Sequence, residues 1–262
     1  MATIASDIRP EPIADRPPIG MAFAMAVTIV AAFALQNLAG RSTFYSPLVV
    51  HAHALTFMGW VAIFVTQATL GARGMVEQHR KLGRIAIAWL GLMIVMAFVV
   101  TIRMVRAGNV PFFFRPQHFL VFDPLNVLVF TGFVLFAVSK RQQRDWHVRL
   151  QLGAMALLMG PAFGRLLPMP LLAPHAYEAA EAACALFPLI GMGIDLKRSG
   201  RVHPAWFVTL AALAGMILLD EVITYSPLGD SLYRMATAGT PGANVPGLEF
   251  GTPPSGGLIT GR

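Results

Sequence analysis

"SPLVVHAHALTFMGWVAIFVTQATL", residues 46–70, runs for 25 residues without one Asp, Glu, Lys or Arg. A helix needs about 20 apolar residues to cross a hydrocarbon core roughly 30 Å thick, so this stretch predicts a membrane span. Six further runs of near-spanning length flank it, at 20–40, 83–104, 118–138, 148–167, 176–196 and 204–222. Pro161 and Arg165 interrupt the fifth run in chain order, and the seventh is short. Backbone polar groups have no water to bond inside lipid, so the runs must be helices packed together. The expectation is one all-α polytopic membrane helix bundle over 20–225 with seven transmembrane helices. Composition agrees: 56% of the 262 residues are hydrophobic and 13% charged, against roughly 25% charged in a soluble domain.

The net charge of +7 invites a nucleic-acid reading, which its distribution rejects. Arg73, Arg80, Lys81 and Arg84 lie between the second and third runs. Lys140, Arg141, Arg144 and Arg149 lie between the fourth and fifth, and Lys197, Arg198 and Arg201 between the sixth and seventh. The alternate loops hold only Arg41, Arg103, Arg106, Arg115 and Arg165. By the positive-inside rule this alternation predicts a bacterial inner-membrane protein with a cytoplasmic N-terminus and a periplasmic C-terminus. The bilayer, not nucleic acid, is the expected partner.

Residues 1–19 read as a disordered cytoplasmic lead without the charge pattern of a cleaved signal. Residues 226–262, rich in Gly, Pro and Thr, read as a mobile periplasmic tail. The lone Cys184 excludes an intrachain disulfide and a CxxC pair, and suits a small core residue.

Seven histidines mark helix starts: 51 and 53, then 79, 118, 147, 175 and 203. From His51, His118 and His175 the next histidine at the opposite face lies 28, 29 and 28 residues on. That spacing suggests about three helical hairpin repeats. "HRKLGRIAIAWLG" (79–91) and "HVRLQLGAMALLMG" (147–160) share a histidine, a basic residue two on and a leucine three on. "HPAWFVTLAALAG" (203–215) keeps only the histidine and the apolar run. The positive end of a helix dipole disfavours imidazolium, and a neutral imidazole is a good metal or haem-iron ligand. The alternative is an amphipathic ring bonding backbone or lipid near the headgroups.

Helical phase separates the two histidines of the opening stretch. Steps of seven from His53 reach Trp60 and Gln67, a polar stripe expected to face the bundle. His51 lies roughly 200° away at about 100° per residue, in a stripe with Leu55, Met58 and Ala62. Asp123, Asn126, Arg165, Glu178, Glu181, Asp220 and Glu221 gather toward the same face as His53, with Arg165 and Glu178 or Glu181 a candidate ion pair.

"HAHALTFMGWVAIFVTQATLGARGMVEQHRKLGR" (51–84), "DWHVRLQLGAMALLMGPAFGR" (145–165) and "GRVHPAW" (200–206) resemble an uncharacterised family of bacterial seven-span membrane proteins. More loosely, histidines at opposite ends of successive helices are similar to the cytochrome b561 class. That resemblance implies haem b held by His53 and His118 on the outer side and by His79 and His147 on the inner side, with transmembrane electron transfer and a quinone or membrane-protein partner. A continuous helix from His53 to His79 would span roughly 39 Å, longer than the core. Two other readings stay open. His53, His118 and His175 with Glu178, Glu181 or Asp123 are an inventory for a metal site with an open position for water. It is distantly similar to seven-span hydrolases of the progestin-receptor and ceramidase kind, whose HxxxH on the last helix is missing. The remaining reading is a non-enzymatic accessory component or carrier.

Overall fold

The computed structural model describes residues 19–42 and 45–253. The expected disordered lead, residues 1–19, lies outside them except for its last residue. The described chain is all-helical. Helices α1 (Ile19–Leu38), α2 (Leu48–Ala72), α3 (Val76–Ala107) and α4 (Pro116–Ser139) are followed by α5 (Arg144–Leu157), α6 (Gly160–Leu166) and α7 (Met169–Leu172). Then come α8 (Ala176–Cys184), α9 (Leu186–Ser199), α10 (Pro204–Thr224) and α11 (Pro227–Thr237). Six stretches are long and apolar enough to cross a membrane: α1, α2, α3, α4, the α8–α9 pair over 176–199, and α10. Their outward faces are bare hydrocarbon, as at Val27, Leu55, Val95, Leu189 and Leu218, each more than half exposed. Such a surface suits lipid and would be an aggregation liability in water.

Two prolines account for the interruptions. Pro188 has no N–H for the Cys184 carbonyl four residues back, and the helix breaks between them at Ala185. Pro161 likewise cannot bond the Leu157 carbonyl, and the fifth apolar run divides at Leu158–Met159 into α5 and α6. The freed carbonyl is recovered by a neighbour: Asn126 of α4 donates its side-chain amide to Leu157 O at 3.0 Å. A helix break inside a bundle is tolerated when a nearby side chain re-satisfies it in this way. Asn126, a candidate site residue by sequence, therefore has a structural task. Asn126→Ala should cost about 1–2 kcal/mol, read as a lower thermal midpoint in detergent, because it strands a buried carbonyl.

The α5–α6 run is the most enclosed part of the molecule, with Leu150 and every residue from 152 to 160 buried. α5 packs on α4 and α10, and α6 on α1 and α8. Its start is tied to the end of α9 by Arg149 and Asp195, and its finish to the end of α1 by Gln36 Nε2 donating to Arg165 O at 2.6 Å.

Residues 227–253, expected as part of a mobile tail, are folded; only 254–262 lie outside the described residues. Ser226 accepts from Gly229 N at 3.4 Å, Pro227 starts α11, and Asp230 and Arg234 sit in its first and last turns. Tyr233 of α11 donates to the carbonyls of Gly242 and Val245, and Gln117 N bonds Gly247 O at 2.8 Å. The Arg115 guanidinium lies 4.5 Å over the Phe250 ring. Gly and Pro serve here to bring backbone close: a Cβ on Gly242 would stand 2.1 Å from Val105 O. The segment is a cap on the ends of α3 and α4.

Candidate functional site

Each histidine falls where the sequence places it along its helix: in the first two turns of α2, α3, α4 and α5, and at the N-cap of α8 and α10. What packing then does with them differs from one end of the bundle to the other.

At one end His79 and His147 are brought together. Their rings are 6.3 Å apart between centres and nearly perpendicular. His79 Nδ1 bonds Gln67 O at 3.2 Å, and His147 Nδ1 bonds Ala137 O at 2.7 Å. A carbonyl can only accept, so each Nδ1 carries a proton, and Nε2 is the nitrogen left to offer a lone pair in the neutral tautomer. The bonds also fix depth. His79 lies beside Gln67, 14 residues along α2 from His53, or about 21 Å. The roughly 39 Å separation expected for one continuous helix does not arise, because α3 folds back before His79 is reached. Gln67 Oε1, buried in the same place, has no partner. His203, the third histidine expected on this side, does something else: its Nδ1 accepts from Ala205 N at 3.2 Å as a helix cap. Burial, then the Arg149 guanidinium, holds its pKa below the ordinary imidazole value, which keeps the accepting form.

Close by, Asp195 is a hub the sequence does not advertise. Arg149 donates to both its oxygens at 2.8 and 2.9 Å, Trp206 Nε1 at 2.8 Å and His203 N at 3.3 Å. It ties α5, α9 and α10 together.

At the opposite end His118 meets the finish of α10. Its Nε2 is 2.5 Å from Asp220 Oδ2 and 3.4 Å from Glu221 Oε1. Among the described residues these three form a group whose ligand atoms all lie within 4.8 Å of one another. Tyr177 of α8 packs edge-on to the His118 ring at 4.5 Å, with its hydroxyl close to Asp220. Glu178 and Glu181 bring two more carboxylates from α8: Glu178 acts on the charge of Glu221, and Glu181 on that of Asp220. Gly160 makes room for Glu181, since a Cβ there would stand 2.2 Å from its Oε1.

The other predicted ligands take separate partners. His53 stacks on Phe57 at 4.4 Å, with Nδ1 3.4 Å from Met96 O on α3. Its charged neighbours are Asp123 and Arg165. Asp123 accepts from the buried Thr101 hydroxyl at 2.5 Å. Arg165 lies 4.0 Å over Phe33 and bonds Pro161 O, so it faces Asp123 and not the expected Glu178 or Glu181. The outer pairing of His53 with His118 is thus replaced: α10 supplies the carboxylates that occupy His118 Nε2, and α3 and α6 enclose His53. The four-ligand set of His53, His118, His175 and Glu178 is not assembled either. His175 is 77% exposed by side chain and bonds Glu178 one turn on at 3.2 Å. Asp220 and Glu221 were visible in the sequence as acids ending an apolar run, but nothing there paired them with His118, because α4 and α10 lie about 100 residues apart.

The fold and these groupings define a class: a polytopic helical membrane protein with ionisable side chains gathered inside each end of its bundle. Comparison with family models, with curated proteins and with solved structures finds no match.

Proposed function

We propose that the chain is an inner-membrane protein that crosses the bilayer seven times and binds one b-type haem through His79 and His147. The seventh crossing is the α5–α6 run. Its two ends are tied to opposite ends of the bundle, and the basic loops then all fall on one face, as the positive-inside rule requires. Cysteines introduced at Gln142 and Leu171 should label from opposite sides of sealed vesicles, Gln142→Cys from the cytoplasmic side. Labelling of both from one side would leave six crossings.

The haem reading rests on the 6.3 Å between the two ring centres. Two imidazoles at this spacing, with Nδ1 already committed, would both be able to offer Nε2 to one haem iron. The Nδ1 bonds to Gln67 O and Ala137 O fit the same role, since ligating histidines usually donate their other N–H to a carbonyl or carboxylate. Arg80, Arg84, Lys140, Arg141 and Arg144 lie within seven residues of His79 or His147 in the chain and would be candidates to pair with propionate groups. A bound haem supplies one-electron redox chemistry, with a membrane quinone the candidate partner. His79 and His147 hold position for it, their protons fixed on Nδ1. Dithionite-reduced protein, purified after expression with haem precursor, should show a sharp b-type absorption band. His79→Ala or His147→Ala should abolish it, and His53→Ala and His118→Ala should retain it. A colourless wild-type preparation would leave the two histidines as clips joining α3 to α2 and α5 to α4.

A further inference from the structure

We infer that the His118 end holds a divalent transition-metal ion, with His118 Nε2, Asp220 and Glu221 as ligands and Glu178 and Glu181 beside it. The site is independent of the haem reading and shares no residue with it.

Charge and satisfaction carry the inference. Asp220 and Glu221 from α10 meet one imidazole from α4 with all ligand atoms within 4.8 Å of one another, and Glu178 and Glu181 of α8 are charge neighbours of these two carboxylates. Their oxygens are short of donors. Asp220, with no exposed side-chain surface, spends Oδ2 on His118 and has no well-aligned donor on Oδ1, although the Tyr177 and Thr224 hydroxyls lie near; Glu181, 3% exposed, has Oε2 unpaired; Glu178 Oε2 and Glu221 Oε1 are buried without a hydrogen bond. Native proteins leave few buried polar atoms in that state, and an absent ion is a standard reason for a local group of them. Arg115, a charge neighbour of Glu221, is already bonded to the Tyr225 hydroxyl and stacked on Phe250. Arg165 faces Asp123. A divalent cation seated between His118 Nε2, Asp220 and Glu221 brings two positive charges to the carboxylates and gives the free oxygens of Asp220 and Glu221 a partner.

The spacing suits such an ion. Ligands of a tetrahedral ion with bonds of about 2.0–2.1 Å lie roughly 3.4 Å apart. His118 Nε2 and Glu221 Oε1 are 3.4 Å apart already. Asp220 Oδ2, at 2.5 Å from the same nitrogen, needs to withdraw by under about 1 Å to reach that spacing. One imidazole nitrogen among carboxylates selects Zn²⁺ or a neighbouring first-row ion, since Mg²⁺ and Ca²⁺ prefer all-oxygen shells. Glu221, 30% exposed by side chain, gives the site an edge toward solvent.

The test is Zn²⁺ titration of full-length protein, stripped with chelator in detergent, by calorimetry and by metal analysis after desalting. Near one Zn²⁺ per chain is expected, with a raised thermal midpoint and no comparable response to Mg²⁺ or Ca²⁺. Asp220→Asn and His118→Gln should each weaken binding at least tenfold. Because either could perturb the fold, Glu221→Gln at the partly exposed edge should weaken it similarly, while the midpoint without metal stays within a few degrees of wild type. The His79→Ala/His147→Ala double variant should bind as wild type does. Loss of Zn²⁺ there would assign the ion to the other end and overturn the inference. So would a wild-type chain that takes up no Zn²⁺, with the carboxylates then held as neutral acids, or a Glu221→Gln variant that binds unchanged.

Discussion

Asp195→Ala should lower unfolding stability by about 3 kcal/mol, the largest loss expected from any single truncation in this bundle. From α9 its carboxylate takes four hydrogen bonds, two from Arg149 of α5 and one each from Trp206 and the His203 backbone at the start of α10. The Arg149 and Asp195 side chains are only 12% and 6% exposed. Breaking a buried pair by removing one partner costs about 3–5 kcal/mol, because the other charge is left without compensation. Trp206, 1% exposed, would also keep a buried indole N–H with no acceptor. The position near the helix ends moderates this, since Arg149 can extend toward water or toward Asp145 at 3.7 Å. Hence the lower end of the range. Asp195→Asn preserves shape and one acceptor oxygen and should lose roughly half as much. Denaturant or thermal unfolding in detergent separates the two variants. If Asp195→Ala unfolds within about 0.5 kcal/mol of wild type, the hub is not what joins α5, α9 and α10.

The bundle was legible in the sequence because its signal is chemical and local. Runs such as 46–70 admit only helices in lipid. The phase of the opening stretch was legible too: Trp60 on the His53 stripe is 4% exposed, and Leu55 on the His51 stripe is 73% exposed. The groupings were not, because they depend on which helices become neighbours. His118 needed an α4–α10 contact to find Asp220 and Glu221. His79 needed the tight return after Ala72 to lie beside Gln67. Asp195 sits between Ile194 and Leu196, two residues before Lys197, where it reads as one more charge at a helix end. Its partner Arg149 is 46 residues upstream. The folding of residues 227–253 was not legible, because glycine and proline signal disorder by composition. Here they permit close backbone approach, and Tyr233 supplies the anchor that composition does not show.

Gly153→Leu should be nearly as damaging as loss of Asp195, for the opposite reason. Gly153 lies on buried α5, where α10 passes closest. A Cβ there would stand 2.2 Å from Thr209 Oγ1, 3.0 Å from its Cγ2 and 3.1 Å from its Cβ. Thr209 is fully buried and bonds Ala205 O at 3.0 Å. Rotating its side chain moves the hydroxyl aside but not the Cβ, so the helices themselves must separate. Small residues at membrane helix contacts exist for this close approach, and van der Waals packing is the main attraction available in lipid. Overpacking a core costs typically about 1–3 kcal/mol. Leucine here should reach the top of that range, because the shift propagates along the whole α5–α10 contact, including the Asp195 hub. Thr209→Gly alone should be milder, a cavity without a clash. Combined with Gly153→Ala it should recover most of what Gly153→Ala loses, a coupling of the kind a double-mutant cycle detects between touching residues. Additive losses in that cycle would mean that α5 and α10 are not held at this distance by this pair.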